Sequence, residues 1–109
     1  MTETVALVLC TVPEAEARGL VDQLLAERRI ACANLLGPVS SRYRWEGRVE
    51  ESREVLLVLK TTVAATPALR QRIGELHSYD VPEVLEFHAD GGLPAYLQWV
   101  AESCGDGAG

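Results

Sequence analysis

The chain has 109 residues, enough for one hydrophobic core, and at this size assembly with further copies adds useful burial. Its 10 Lys and Arg are outnumbered by 16 Asp and Glu, net charge −6, and the basic residues are scattered, which argues against a nucleic-acid partner. No basic stretch followed by an apolar run opens the chain, and no apolar run approaches the ~20 residues that span a bilayer, so no membrane partner and a soluble, cytoplasmic protein are expected. Cys10, Cys32 and Cys104 are odd in number, widely spaced and without a C-x-x-C pair, which points to reduced thiols rather than a disulfide framework.

Thr4 to Thr11 is a nearly continuous apolar run with β-branched residues, the pattern of a strand buried on both faces. Thr11 and Glu14 have capping-box spacing, and Ala17, Leu20, Val21, Leu24 and Leu25 recur on one face of a first helix running to about Arg29, with a basic last turn suited to the dipole. A second strand spans Ile30 to Trp45, interrupted at Gly37-Pro38, with Val39, Ser41, Tyr43 and Trp45 alternating against polar neighbours. Extended, those 16 residues would cover ~50 Å at about 3.3 Å each, against an expected radius of gyration of only ~13 Å. The outer part must therefore bend or reach beyond its own domain. Glu46-Gly47 supplies a turn, and Arg48 to Leu59 returns as the hairpin partner, apolar in its inner half and an arm in its outer half.

Thr66-Pro67 opens a second helix with Leu69, Ile73 and Leu76 on its buried face, ending at His77. Val84 to Phe87 is a short fourth strand entered through Pro82, which suits a sheet edge. Pro94 starts a third helix with Leu93, Tyr96, Leu97, Val100 and Cys104 on one side. Residues 1–104 are expected to form a single domain and 105–109 a flexible tail. The order βαββαβα consists of two split βαβ units, and right-handed crossovers give an α+β, ferredoxin-like antiparallel sheet of order 4-1-3-2. In that plan Cys10, the Trp45 turn and His77 converge at one edge of the sheet.

The segments Leu9-Cys10-Thr11-x-Pro13, Ala31-Cys32-Ala33-Asn34, Tyr43-x-Trp45-x-Gly47, Glu50-Glu51, Lys60-Thr61, His77-x-Tyr79-x-x-Pro82-Glu83 and Tyr96-Leu97-x-Trp99 together closely resemble the CutA family of divalent-cation tolerance proteins. The likeness covers about residues 5 to 103. It implies a tight homotrimer of ferredoxin-like subunits whose long hairpins pair with neighbours and shape clefts between subunits, much as in PII signalling proteins. It also implies an association with tolerance to copper and other heavy metals, with no enzymatic reaction attached, and metal ligands matching Cys10 and His77. Two positions depart from the family pattern: Ser78 stands where Pro is common, and Leu76 where copper-binding members have a second His.

Each site residue also has a structural reading. A Cys at a strand end before a helix N-terminus can become a thiolate that soft metals prefer, or can be a small buried hydrophobe. His77 can be a copper or zinc ligand, or a group stabilised at a helix C-terminus. Tyr43, Trp45 and Tyr79, with Glu83 and Glu51, can line an intersubunit pocket, or the aromatics can seal an interface. Cys32 and Cys104 fit packing roles and His88 a surface position, while Glu50-Glu51 and Arg53-Glu54 read as a solvated or interchain ion-pair face. His77, Ser78 and Asp80 are adjacent in sequence and give no nucleophile–base geometry, and no Gly-rich phosphate loop is present, so an enzyme is not expected. Three functions stay open: divalent-metal (copper) binding and tolerance, a PII-like sensor of a small effector, and a structural or partner-anchoring trimer.

Overall fold

Val8, Cys10 and Val12 alternate with Leu7, Leu9 and Thr11 along the first strand, β1 (Val5–Pro13), in a computed structural model that describes residues 4–105. It is followed by α1 (Glu14–Ala26), β2 (Cys32–Trp45), β3 (Arg48–Thr62), a single 3-10 turn, α2 (Thr66–Leu76), β4 (Val84–His88) and α3 (Pro94–Ser103). The sheet is antiparallel with order β2-β3-β1-β4, the 4-1-3-2 arrangement read from its other edge. The α+β, ferredoxin-like class is therefore observed, with β4 at an edge as Pro82 required.

One face of the sheet carries the core. Val8, Cys10, Val12, Val55, Leu57 and Leu59 pack against Leu20, Val21 and Leu24 of α1 and Leu69 and Ile73 of α2. Each fully buried aliphatic side chain among them contributes about 1.5–3 kcal/mol relative to exposure. The opposite face is less covered: Leu7, Leu9 and Val58 are half-buried and Leu36, Leu85 and Phe87 exposed, so within one chain β1 is fully buried on one side where burial on both was expected.

The first helix also starts later than expected. Thr11 stays in the strand, opposite Leu56 in the ladder to β3, and that pairing holds the chain extended through Pro13, so the Thr11–Glu14 capping box does not form. At the other end Arg28 adopts a positive φ of 58° and ends the helix, leaving Arg28 and Arg29 beyond it rather than in a basic last turn. Arg28 instead donates to the carbonyls of Glu102 (2.9 Å) and Gly105 (3.1 Å), tying down the end of α3. The rest of the expected tail, 106–109, lies outside the described residues.

β1 pairs with β3 only as far as Pro13 opposite Glu54, whereas β2 and β3 stay paired out to Trp45 opposite Arg48. Beyond Glu54 the hairpin is thus a two-stranded ribbon, and the molecule is 48 Å along its longest axis. Glu46 (φ 50°) and Gly47 (φ 79°) close it with the left-handed backbone a two-residue hairpin requires. The register shift between Leu36 and Val39 absorbs Gly37-Pro38. Gly37 (φ 149°) passes so close to β3 that an added Cβ would lie 3.1 Å from the Glu54 carbonyl oxygen.

Of the stripe expected on α3, Val100 is buried, Leu97 and Cys104 are half-buried, and Leu93 and Tyr96 are exposed. Cys32 is half-buried, its Sγ 3.6 Å from the Tyr96 hydroxyl, rather than in the core. Among the described residues, no helix is long and apolar enough to cross a membrane.

Candidate functional site: a carboxylate and aromatic cleft at the base of the arm

The split-βαβ plan carries the end of β1, the arm and the α2–β4 connection to the same edge of the sheet, where they enclose a cavity of about 740 Å³. Tyr43, Trp45, Tyr79 and Glu83 all line it, together with Glu50 and Glu54. Alternation explains which arm residues face inward. Tyr43 lies opposite Glu50, Ser41 opposite Ser52 and Val39 opposite Glu54, so residues 50, 52 and 54 share a face with the aromatics. Glu51 and Arg53 point the other way: Arg42 Nη1 lies 3.4 Å from Glu51 and Arg53 Nε 3.6 Å from Glu14. Glu51 does not line the cleft, and Glu54 is not part of a solvated ion-pair face.

Glu54 is 4% exposed, and its Oε2 accepts the Tyr79 hydroxyl at 2.8 Å. Desolvation, then the hydrogen bond to Glu54 and its charge, push the Tyr79 phenol up to about 12, so it remains a proton donor. On the arm, the Tyr43 and Ser52 hydroxyls lie 2.7 Å apart. Trp45 is 53% exposed at the outer rim. Motif reading missed Glu50, Glu54 and Asp80 as lining residues; counting by twos from Tyr43 and across the turn would have turned Glu50 and Glu54 inward.

Cys10 and His77 lie behind this cleft, and both are tied to the Thr11 carbonyl. The Cys10 thiol is fully buried, 3.7 Å from that oxygen, and burial, followed by the negative charges of Glu83 and Glu54, pushes it up to about 12. Of the two readings open for Cys10, a thiolate beside a helix N-terminus and a small buried hydrophobe, the burial and the raised thiol fit the second, and α1 begins four residues later. His77, the C-terminal cap residue of α2, places Nε2 2.8 Å from the Thr11 oxygen while Nδ1 accepts the Tyr79 N–H at 3.0 Å. A carbonyl can only accept and an amide can only donate, so the ring is the Nε2–H tautomer with both nitrogens in use. Its plane lies against Tyr79, ring centroids 4.7 Å apart.

A metal held by Cys10 and His77 needs a thiolate and a free imidazole lone pair. The buried, protonated thiol and the doubly bonded ring do not fit that demand within one chain. Among the described residues, no three His, Cys, Asp or Glu side chains are grouped so as to hold a metal ion.

A ferredoxin-like sheet carrying an overlong hairpin, with a cleft at the hairpin's base, defines a PII-like architecture, and a protein described as "PII-like protein CutA" from Nostoc in apo form superposes with TM-score 0.88, at 32% identity over 92% of this chain and 97% of that one. CutA1 from Oryza sativa superposes with TM-score 0.93, at 34% identity over 96% of this chain and 97% of that one. The divalent-cation tolerance protein CutA of Thermus thermophilus is 43% identical over 100 residues, covering 91% of this chain and 97% of its own. The family described as CutA1 divalent ion tolerance protein matches residues 6–103. The chain belongs to the CutA family, which is named for tolerance of divalent cations rather than for a reaction.

Proposed function

We propose that the protein is a non-catalytic binding protein, working as a homotrimer, that receives a small effector in the cleft between the arm and the α2–β4 connection. The observation that carries this reading is that Tyr43, Trp45, Tyr79 and Glu83, from two distant segments, line one 740 Å³ cavity, within the size range of small-molecule sites. The PII-like description of the Nostoc relative supports it.

Self-association is supported by the partly uncovered sheet face and the ribbon. Leu7, Leu9 and Val58, half-buried, and Leu85 and Phe87, exposed, form an incompletely covered apolar surface, and a two-stranded ribbon is marginal in water on its own. Further copies of the chain would cover both. Light scattering at micromolar concentration is expected to give three chains per particle; a monomer would remove this part of the proposal.

The family's name supports a role for divalent cations. Within one chain neither Cys10 and His77 nor any group of three ligating side chains among the described residues is arranged to hold such a cation, so that role is tested beside the effector reading. Thermal melts with a metabolite panel, with and without chelator, test the main reading. Saturable stabilisation without metal, lost in Trp45→Leu and Tyr79→Phe, is expected. Stabilisation only with Cu2+, lost in Cys10→Ser, would return the weight to copper binding.

A further inference from the structure

The cleft's charge and walls define the class of ligand it takes, an inference that rests on its reading as an effector site. Four carboxylates line it, Glu50, Glu54, Asp80 and Glu83, against a single guanidinium, Arg42, which faces Glu51 at 3.4 Å. None of the four takes part in an ion pair among the described residues. An anionic effector would meet four like charges against that one guanidinium.

The inner end is more specific. Glu54 is 4% exposed and uses Oε2 to accept the Tyr79 hydroxyl, while Oε1 receives no hydrogen bond from the described residues. No buried side-chain oxygen among the described residues lacks a partner, so Oε1 is reached by solvent from the cleft, where a ligand's N–H or O–H can take the place of water. The walls add Tyr43, Trp45 and Tyr79, and an aromatic ring attracts an ammonium placed over its face. A bare metal ion would leave most of 740 Å³ unfilled and finds no group of three ligating side chains among the described residues.

We propose that the cleft binds an organic ammonium, a small alkyl amine whose protonated nitrogen donates to Glu54 Oε1 while its chain lies against Trp45 and Tyr43. A diamine would place its second ammonium toward Glu50 and Glu83 at the mouth.

The test is isothermal calorimetry of the assembled protein at matched ionic strength with four probes: 1,4-diaminobutane, 1,4-butanediol, succinate and magnesium chloride. Saturable binding of the diamine alone is expected, with Glu54→Gln and Glu83→Gln each weakening it at least tenfold. Gln at 54 still accepts the Tyr79 hydroxyl, and Glu83 is exposed, so at least the second variant keeps the fold; circular dichroism and light scattering verify both. Succinate or butanediol binding instead, lost in Trp45→Leu, would overturn the ammonium class while leaving the effector cleft standing. Magnesium binding without diamine binding would overturn it in favour of an inorganic cation. Failure of all four probes, with Glu83→Gln folded and trimeric, would overturn the ammonium class, and silence across the metabolite panel as well would remove the effector reading.

Discussion

Replacing His77 with alanine separates the two roles its position allows, because a ligand and a latch fail differently. The imidazole joins three segments: its Nε2–H is held by the Thr11 carbonyl at 2.8 Å, its Nδ1 holds the Tyr79 amide at 3.0 Å, and its plane supports the Tyr79 ring. Each hydrogen bond has a net worth of about 1 kcal/mol, and a buried partner left without one adds a further ~1–3 kcal/mol. Solvent entering where the ring was will satisfy part of that demand, so the loss is expected at about 2–4 kcal/mol, a large share of the ~5–15 kcal/mol that holds a domain. Tyr79 also loses its orientation toward Glu54. The assay is urea unfolding at fixed protein concentration, since the apparent stability of an assembly shifts with concentration. Calorimetric Cu2+ titration in a competing buffer ligand accompanies it on the same samples. The expected pair of results is a large fall in unfolding free energy and a copper isotherm unchanged from the parent. Unchanged stability together with loss of stoichiometric copper binding would refute the latch and restore His77 as a ligand.

Other consequences follow from the same geometry. Cys10 rises from 9.0, and Tyr79 from 10.0, to about 12 in the folded chain, so the unfolded chain releases these protons first. Stability should be intact below pH 9 and fall as pH rises toward 12. The fall should be shallower in Cys10→Ala; urea midpoints that are equal at neutral and high pH in the parent would contradict this. Glu27 is held down from 4.5 to about 2, chiefly by its hydrogen bonds from Arg72, so its contribution is present above 4.5 and lost as pH falls through about 2. Glu27→Gln should flatten the acid limb of the stability profile; an unchanged limb would show that the pair does not control it. Gly37→Ala must place a Cβ at φ 149°, 3.1 Å from the Glu54 carbonyl and the Val39 nitrogen. A loss of about 1–3 kcal/mol is expected from the strained backbone, and a variant as stable as the parent would mean that the bulge relaxes freely.

The parts of this molecule legible in its sequence are those decided by residue type over a short span. Leu69 and Ile73 lie one turn apart and are both buried, Glu46-Gly47 closes a two-residue hairpin, and the element order with right-handed crossovers leaves one sheet arrangement. Local rules failed where a distant partner overrode them. Thr11 has the chemistry of a helix cap, yet the ladder to Leu56 claims its backbone first. Glu54 looks like one more charge on a polar arm, and only Tyr79, 25 residues away, makes its burial tolerable. Cys10 and His77 were the hardest to read, and for a physical reason. What occupies the His77 ring is a carbonyl oxygen 66 residues away and an amide two residues on, and backbone groups are common to nearly every residue. A histidine at a helix end and a cysteine at a strand end therefore read the same in sequence whether their donor atoms are engaged or free. Whether they can bind depends on how many lone pairs the backbone has already taken, and here the count leaves none on the imidazole.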